Sequence, residues 1–369
     1  GAIVITNYET LLMPIMYGLL KDWAPEVLVL DESHKCKDIK SKRTKKAIEL
    51  SDLAKYKYLL SGSPVLNSLL DIFSQFRILD GGATFGKNFF FFRAEYFFDK
   101  NAGFKSKQSY FPDWQVKANS AERVNHLIYK KGIRALKSEC LDLPPLVRQT
   151  IFCDMNPVQA KAYAEMKKDF ITYLNEKACV AELALTKALR LLQIVSGYVS
   201  LEGGEEQSLG KNPKIEALRE LLETLTISNK VIIWCVFKQN YKQIRELCDE
   251  LRLQPLEIHG AIGAKAKDEA VDLFNTDPRY RVLIGHPLSG GIGINLVQAS
   301  YSIFYSRNFS LEQDLQAEAR NYRGGSEIHE KVTRIDLVTK DTIDELVVER
   351  LLSKQAMSHE VLKDWRDRL

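Results

Sequence analysis

Short runs of β-branched, leucine and aromatic residues alternate along this chain with stretches whose apolar positions recur every three or four residues. Ile3-Val4-Ile5, Val27-Leu28-Val29-Leu30 and Tyr58-Leu59-Leu60 are continuous apolar runs that each end in a polar loop, which predicts parallel strands buried on both faces. Between residues 65 and 143 the pattern turns to aromatic-rich helices around Phe73, Phe76, Phe89, Phe92 and Tyr96, with a polar break at 101–108, and this predicts a helical insertion. Leu143-Pro144-Pro145 then punctuates the chain. Pro157 opens a long helical pattern reaching about residue 199, since proline suits a first helical turn, and 203–208 is expected to be a surface loop. From Lys230 the alternation is regular: strands at 231–237, 256–258, 281–284, 301–305 and 332–337, helices at 239–251, 267–274 and 311–322, and a last helix from Thr342. Right-handed crossovers make such a series an open parallel sheet with helices on both faces. There is no repeat of fixed period.

The fold class is therefore α/β, in three stretches: 1–143, 144–228 as linker and helical protrusion, and 229–369 as a second sheet domain. The 369 residues, 45% of them hydrophobic, suffice for more than one core. Fifty-two Lys and Arg against 48 Asp and Glu leave +4, so bulk charge points to no partner, although a locally basic face can still bind phosphates. Six scattered cysteines without a Cys-x-x-Cys pair suggest neither zinc nor disulfides and fit a reducing cytosol. No basic leader precedes the apolar start, and no apolar run approaches the roughly 20 residues that cross a bilayer. The compact layout suggests a monomer in the cytoplasm of a bacterial or phage-infected cell, with a nucleus as the alternative. The chain opens inside an expected strand, and so reads as cut from something longer.

Two adjacent carboxylates at the end of an apolar strand, Asp31-Glu32-Ser33-His34, stand where α/β sheets bind ligands. In a nucleotide hydrolase the first carboxylate belongs to the Mg2+ shell and the second orients or deprotonates the attacking water. Ser61-Gly62-Ser63-Pro64 follows the next strand, either as an ordinary turn or as a hydroxyl relay of the phosphate state. Near the C-terminus Gln316, Arg320 and Arg323 fall at i, i+4 and i+7, one face of the expected helix. A guanidinium fork binds phosphate oxygens two at a time. That helix is expected beside a glycine-rich loop at the same sheet edge.

Together these segments resemble the SNF2-type branch of superfamily 2 helicase-like ATPases. Residues 4–11 are similar to that family's entry strand, Asp31 to His34 to its D-E-x-H box, and Ser61 to Pro64 to its S/T-G-[ST]-P box. Leu143-Pro144-Pro145 with Gln159 and Tyr163 resembles the bridge between lobes. Ile232 to Phe237 resembles the opening strand of the second lobe, Ile258-His259-Gly260 its nucleic-acid-facing loop, Ser289 to Leu296 its glycine box, Gln316 to Gly325 its Q-x-x-x-R-x-x-R-x-G box, and Thr342 to Glu345 its entry to the terminal helix. Only residues 80–138 match weakly. The resemblance implies two RecA-like lobes, the first incomplete, with ATP and Mg2+ as cofactors and double-stranded DNA as partner. It implies that Asp31 binds Mg2+, that Glu32 activates water, and that Arg320 and Arg323 reach the triphosphate. His34, Ser61, Gly62, Ser63, Gly293 and Gln316 would bind ATP or couple its state to nucleic acid. Lys35, Lys37, His259, Gly260, Gly290, Gly291 and Asn308 would contact nucleic acid. The glycines would admit a phosphate or merely form a turn.

The chain departs from that pattern in two places: Ser326 stands where the family has Gln, and Arg307-Asn308-Phe309 where it has Trp-Asn-Pro. No phosphate-cradling glycine loop precedes Asp31. Gly81 to Lys87 fits G-x-x-x-x-G-K but carries Asn88 in place of the hydroxyl, follows the carboxylates and has no strand feeding it, so it is read as a decoy. The basic run Lys35, Lys37, Lys40, Lys42, Arg43, Lys45 and Lys46 is either a solvated face or a sequence-insensitive phosphate contact. The function implied is a DNA-stimulated ATPase and translocase, with this chain alone inactive for want of the phosphate loop. The alternatives are a non-catalytic binding module of the same fold and a strand-separating helicase.

Overall fold

The computed structural model describes residues 1–65, 68–102, 112–175, 181–200, 205–288 and 293–361. It divides into two compact units, Gly1–Ile133 with Ser353–Leu369, and Arg134–Leu352.

In the first unit β1 (Val27–Leu30) and β2 (Tyr56–Leu59) pair in parallel, Val27 opposite Tyr56 and Leu30 opposite Leu59. Helix α1 (Pro14–Trp23) begins on a proline, which has no amide to leave unsatisfied there. Helix α2 (Lys42–Leu53) is capped by the Ser41 hydroxyl, which accepts from the Thr44 N–H at 3.1 Å. Helix α3 (Asp71–Asp80) is tied to it by the Arg77 fork on Asp52, at 3.0 and 3.1 Å. Leu11, Tyr17, Leu30, Cys36, Ala47, Leu50 and Ile78 form the core beneath the strands. Exposure alternates, however: Val27, Val29, Tyr56 and Tyr58 face outward. The expectation of strands buried on both faces therefore fails in this unit. Residues 2–6 form no strand either, and Ile3 and Ile5 are almost fully exposed. A strand exists by pairing, and an apolar run without a described neighbour stays irregular.

The aromatic stretch folds as α4 (Phe89–Tyr96), an antiparallel pair β3 (Phe97–Asp99) and β4 (Trp114–Val116), and α5 (Ser120–Tyr129). Phe85 lies edge-on to Phe76, Phe92 and Tyr96, with centroids 4.9, 5.2 and 6.1 Å apart, and this cluster is the second core of the unit.

The second unit runs from α6 (Lys137–Cys140) through β5 (Leu146–Cys153), α7 (Pro157–Asn175) and α8 (Ala181–Val195), then the short antiparallel pair β6 (Tyr198–Ser200) and β7 (Glu206–Ser208). There follow α9 (Pro213–Leu225), β8 (Lys230–Trp234), α10 (Lys238–Glu250), β9 (Pro255–Ile258), α11 (Ala264–Thr276), β10 (Val282–Gly285), β11 (Ala299–Phe304), α12 (Leu311–Glu318), β12 (Val332–Thr339) and α13 (Ile343–Val361), which belongs to this unit as far as Leu352. Six strands make one parallel sheet in the order β5-β12-β11-β8-β10-β9. Strand β5 lies in the stretch expected to be a linker, yet its eight residues pair one by one with β12. The alternation along β8 sorts its side chains: Val231 and Ile233 meet Leu218, Leu222, Ile244 and Leu247, while Ile232 and Trp234 meet Phe274, Ala270 and Ala317. Both faces are covered, which is the arrangement expected for this half of the chain. Five cysteines among the described residues are free thiols.

Candidate active site

The apolar residues of β1 carry the chain to Asp31, and there it turns at once. Glu32 adopts φ 50°, ψ 49°, the left-handed region that costs a side-chain-bearing residue about 1 kcal/mol or more. The turn is held from all sides. Ser33 N–H donates to the Leu60 carbonyl at 2.9 Å, Lys35 N–H to the Glu32 carbonyl at 2.9 Å, and the buried Ser33 hydroxyl to Gln75 Oε1 at 2.9 Å. Gln75 in turn donates to the carbonyls of Pro64 and Asp71, at 2.7 and 2.9 Å. Asp31 is left exposed, with Oδ1 accepting the Glu32 N–H at 2.9 Å.

His34 is 3% exposed, and one ring nitrogen serves two partners: Nδ1 stands 3.2 Å from Glu32 Oε2 and 3.1 Å from Ser61 Oγ. Ser61 Oγ also accepts the Ser63 N–H at 3.2 Å, closing the turn after β2. The structure thus joins Glu32, His34 and Ser61 through a single imidazole. Gly62 has open space where a Cβ would stand. Sequence reasoning did not single out Tyr8, whose hydroxyl donates to the Asp31 carbonyl at 2.7 Å. Burial, then neighbouring Cys36, Asp31 and Glu32, push its phenol well above the ordinary value, so it remains a neutral donor. Its sequence signal was its place in residues 4–11, the segment that resembles the family's entry strand. The Lys35 ammonium and the Arg43 guanidinium each lie 5.9 Å from its ring centre, and Lys35 and Lys37 are half-exposed.

The decoy loop also acquires a physical explanation. The Asp80 carboxylate accepts the N–H groups of Gly82, Ala83 and Thr84 at 3.0, 2.9 and 3.1 Å, and Lys131 Nζ approaches it at 2.8 Å. The amide cradle that a phosphate would need is already filled by the protein's own anion. Gly82 has φ 90°, and a Cβ there would stand 2.7 Å from the Gly86 carbonyl oxygen, which explains the glycine without a ligand.

In the second unit the expected residues fall into two groups. The first is at the carboxyl ends of the strands. The His259 ring stacks on Tyr241, centroids 4.5 Å apart, with Nε2 2.8 Å from Glu257 and Nδ1 accepting the Ala261 N–H at 3.3 Å. Arg245 forks onto the same Glu257 at 2.6 and 2.9 Å. Asn308 donates to Gln313 Oε1 at 2.8 Å and accepts the Ser310 N–H at 3.0 Å. Both side chains shape their loops, and Gly260 has open space around it.

The arginines form the other group, and here a local expectation is corrected. Helix α12 stops at Glu318, so Gln316 is helical while Arg320 and Arg323 lie in the turns beyond it and share no helix face. That turn packs at the opposite ends of the strands. The Arg320 carbonyl accepts the Leu296 N–H at 2.9 Å, Asn321 Nδ2 donates to the Ala299 carbonyl at 3.1 Å, and Arg323 Nη1 donates to the Ile294 carbonyl at 3.4 Å. Ala299 begins β11 whereas Asn308 follows its end, a separation of roughly 20 Å at 3.3 Å per residue. The arginine turn and the described end of the glycine box, Ile294 to Leu296, thus lie side by side as expected, at the sheet end opposite to Asn308. Gly293, at φ 108°, opens the segment that Arg323 grips, and Gly290 and Gly291 lie outside the described residues.

What fixes α12 is a lattice of three arginines and three carboxylates, buried except for the half-exposed Arg148. Arg334 holds Asp314 at 2.8 and 3.0 Å, Glu318 at 3.0 Å and Asp336 at 2.9 Å, and Arg148 holds Glu318 at 2.8 Å. Arg307 pairs with Asp336 and stands 3.4 Å from Asp314. Burial draws the Arg307 pKa down and the two aspartates oppose it. The lattice is charge-balanced, and it contains the arginine that replaces the family's tryptophan.

Among relatives, this chain is 27% identical over 395 residues to the TATA-binding protein-associated factor mot1 of Aspergillus fumigatus, covering 94% of this chain and 20% of that protein. It is 24% identical over 371 residues to the chromodomain-helicase-DNA-binding protein 1-like of Mus musculus, covering 98% of this chain and 39% of that protein. The chain thus spans well under half the length of these relatives. A solved structure, the Sulfolobus solfataricus SWI2/SNF2 ATPase core in complex with dsDNA, aligns with TM-score 0.48 at 24% identity, over 93% of this chain and 69% of that one. Residues 213–325 match the model of the helicase conserved C-terminal domain, and residues 1–197, more than half of the chain, match that of the SNF2-related domain. The chain belongs to the SNF2-related domain family.

Proposed function

We propose that these residues form the larger part of an ATP-dependent, DNA-stimulated motor that moves along a duplex. The observation that carries the reading is the strained Glu32, held in the left-handed region with its carboxylate coupled through His34 to Ser61. Such strain persists where a site requires it. Asp31 would be the Mg2+ ligand. Its exposed carboxylate suits a hydrated ion that draws its other ligands from water and phosphate, and no group of three acidic, histidine or cysteine residues among those described would cage a metal alone. When bound, Mg2+ would neutralise charge on the phosphates. Glu32 would orient the attacking water, and Arg320 and Arg323 would offer positive charge to the transferred phosphate. Lys35 and Lys37 would hold the duplex backbone without reading sequence.

The 369 residues contain no G-x-x-x-x-G-K-[ST] loop, so the chain by itself is expected to bind ATP weakly and to turn it over negligibly. An eukaryotic nucleus suits the relatives better than a bacterial or phage-infected cytoplasm, because they come from fungi, animals and a plant and are named for TATA-binding protein or chromatin. The test measures anisotropy of labelled duplexes of unrelated sequence against the monomeric chain as salt rises, together with ATP turnover. Binding that falls with salt, ignores sequence and weakens in the double variant Lys35→Ala/Lys37→Ala is expected, with no DNA-stimulated turnover. Duplex binding that is absent at low salt would sink the DNA reading, and brisk turnover would sink the assigned dependence on a phosphate loop.

A further inference from the structure

We propose that Lys137 is a third cation of the phosphate site formed by Arg320 and Arg323, reaching the terminal phosphate of a nucleoside triphosphate. The inference rests on the role given above to the two arginines. Lys137 opens α6, far from them in sequence, yet its Nζ donates to the carbonyl of Tyr322, between the two arginines, at 3.1 Å. The same ammonium stands 5.7 Å from the centre of the Tyr322 ring. Leu141, just after α6, lies 4.0 Å from the position a Cβ on Gly324 would take. The strand-entry end of the sheet therefore brings a lysine onto the arginine turn, and the fold holds it there.

Arg323 repels the Lys137 ammonium, and Glu318, which attracts it, has both oxygens committed to Arg148 and Arg334. Packing draws the lysine below its usual pKa, against the pull of Glu318 and with a smaller push from Arg323. An ammonium has three donors, and the Tyr322 carbonyl takes one of them. Like charges held together by covalent and packing constraints gain most from an anion placed between them, and a phosphate oxygen satisfies an ammonium and a guanidinium at once. Lys137 is a point charge that adjusts to the phosphate, whereas Arg323 is fixed by its bond to Ile294.

The experiment titrates inorganic tripolyphosphate into the whole chain by calorimetry, for the wild type and for Lys137→Met, Lys137→Arg, Arg320→Met and Arg323→Met, with thermal melts alongside. Loss of one charge-assisted phosphate contact is expected to weaken binding about tenfold in Lys137→Met and in Arg323→Met, while Lys137→Arg retains it. The wild type should also lose affinity as alkaline pH discharges the lysine, a step absent from Lys137→Arg. Tyr322, Arg323 and Glu318 face the ammonium, and only the lysine is removed in that comparison. If Lys137→Met binds as the wild type while the arginine variants are weakened, Lys137 is a structural brace and the inference is overturned, with the arginine reading intact. If no variant weakens binding, the arginine reading falls as well. If Lys137→Met melts early, the pH profile of Lys137→Arg decides, and a profile like the wild type's rejects the inference.

Discussion

Replacing Arg334 by Met tests the idea that buried charge, rather than helix propensity, fixes the segment leading to Arg320 and Arg323. Arg334 binds three carboxylates at 2.8 to 3.0 Å and covers the Phe304 ring at 3.9 Å. Its side chain is 8% exposed and Asp314, Glu318 and Asp336 are 10 to 12% exposed, so water screens little of the interaction. Removing it leaves three carboxylates facing two guanidiniums, those of Arg148 and Arg307. Truncating one partner of a buried pair costs about 3–5 kcal/mol, mostly the penalty of the stranded charge. Methionine fills much of the volume and packs on Phe304, so the lower half of that range is expected. Urea unfolding at pH 7 reads the loss, and hydrogen exchange of peptides spanning 311–323 should show α12 and the arginine turn opening together. Adding Asp314→Asn removes one stranded charge, so the double variant should recover about 1–3 kcal/mol relative to additivity. A single variant within about 1 kcal/mol of wild type, with unchanged exchange at 311–323, would refute the reasoning.

Two other perturbations probe the scaffold. Asp80→Asn keeps the shape but sets an amide donor against the Thr84 N–H and the Lys131 ammonium, and is expected to cost about 2–4 kcal/mol in urea unfolding at pH 7. Burial alone would raise the Asp80 pKa, but Lys131, Thr84 and the Gly82 amide outweigh it and lower the folded-state value. A lowered folded-state pKa gives stability that is present above the unfolded value and is lost as pH falls through the folded one. The gap between wild type and variant should therefore persist at pH 7 and close below about pH 4. An equal gap at both extremes would contradict the carboxylate's role. Gly285→Ala would place a Cβ 2.6 Å from the Trp234 ring and 3.1 Å from Ile258, both fully buried, so overpacking should cost about 1–3 kcal/mol by thermal unfolding; an unchanged melting temperature would show that the contact relaxes freely.

Periodicity alone located five of the six strands of the second unit's sheet. The apolar runs at 231–234 and 282–284 and the largely apolar 301–304 are covered on both faces, so they declare themselves wherever they pair. Local chemistry also determined that Asp31 and Glu32 end a strand and that Ser61 follows the next, because spacing along a parallel sheet carries strand ends to one side. Only the tertiary structure decided the rest. Whether residues 2–6 become a strand depends on a neighbour, not on their own residues. That 146–153 is an edge strand depends on β12, which lies nearly two hundred residues away in sequence. Counting i, i+4 and i+7 placed Arg320 and Arg323 on one helix face, but buried ion pairs through Asp314 and Glu318 anchor the helix and the chain leaves it at Glu318. The glycine loop that resembled a phosphate cradle is closed by Asp80, and Lys137 stands on the arginine turn through a bond to Tyr322. Pattern is set by nearest neighbours along the chain, whereas partners for buried charges are chosen in space: Arg334 holds Asp336 two residues on, but also Asp314 and Glu318, sixteen or more residues away.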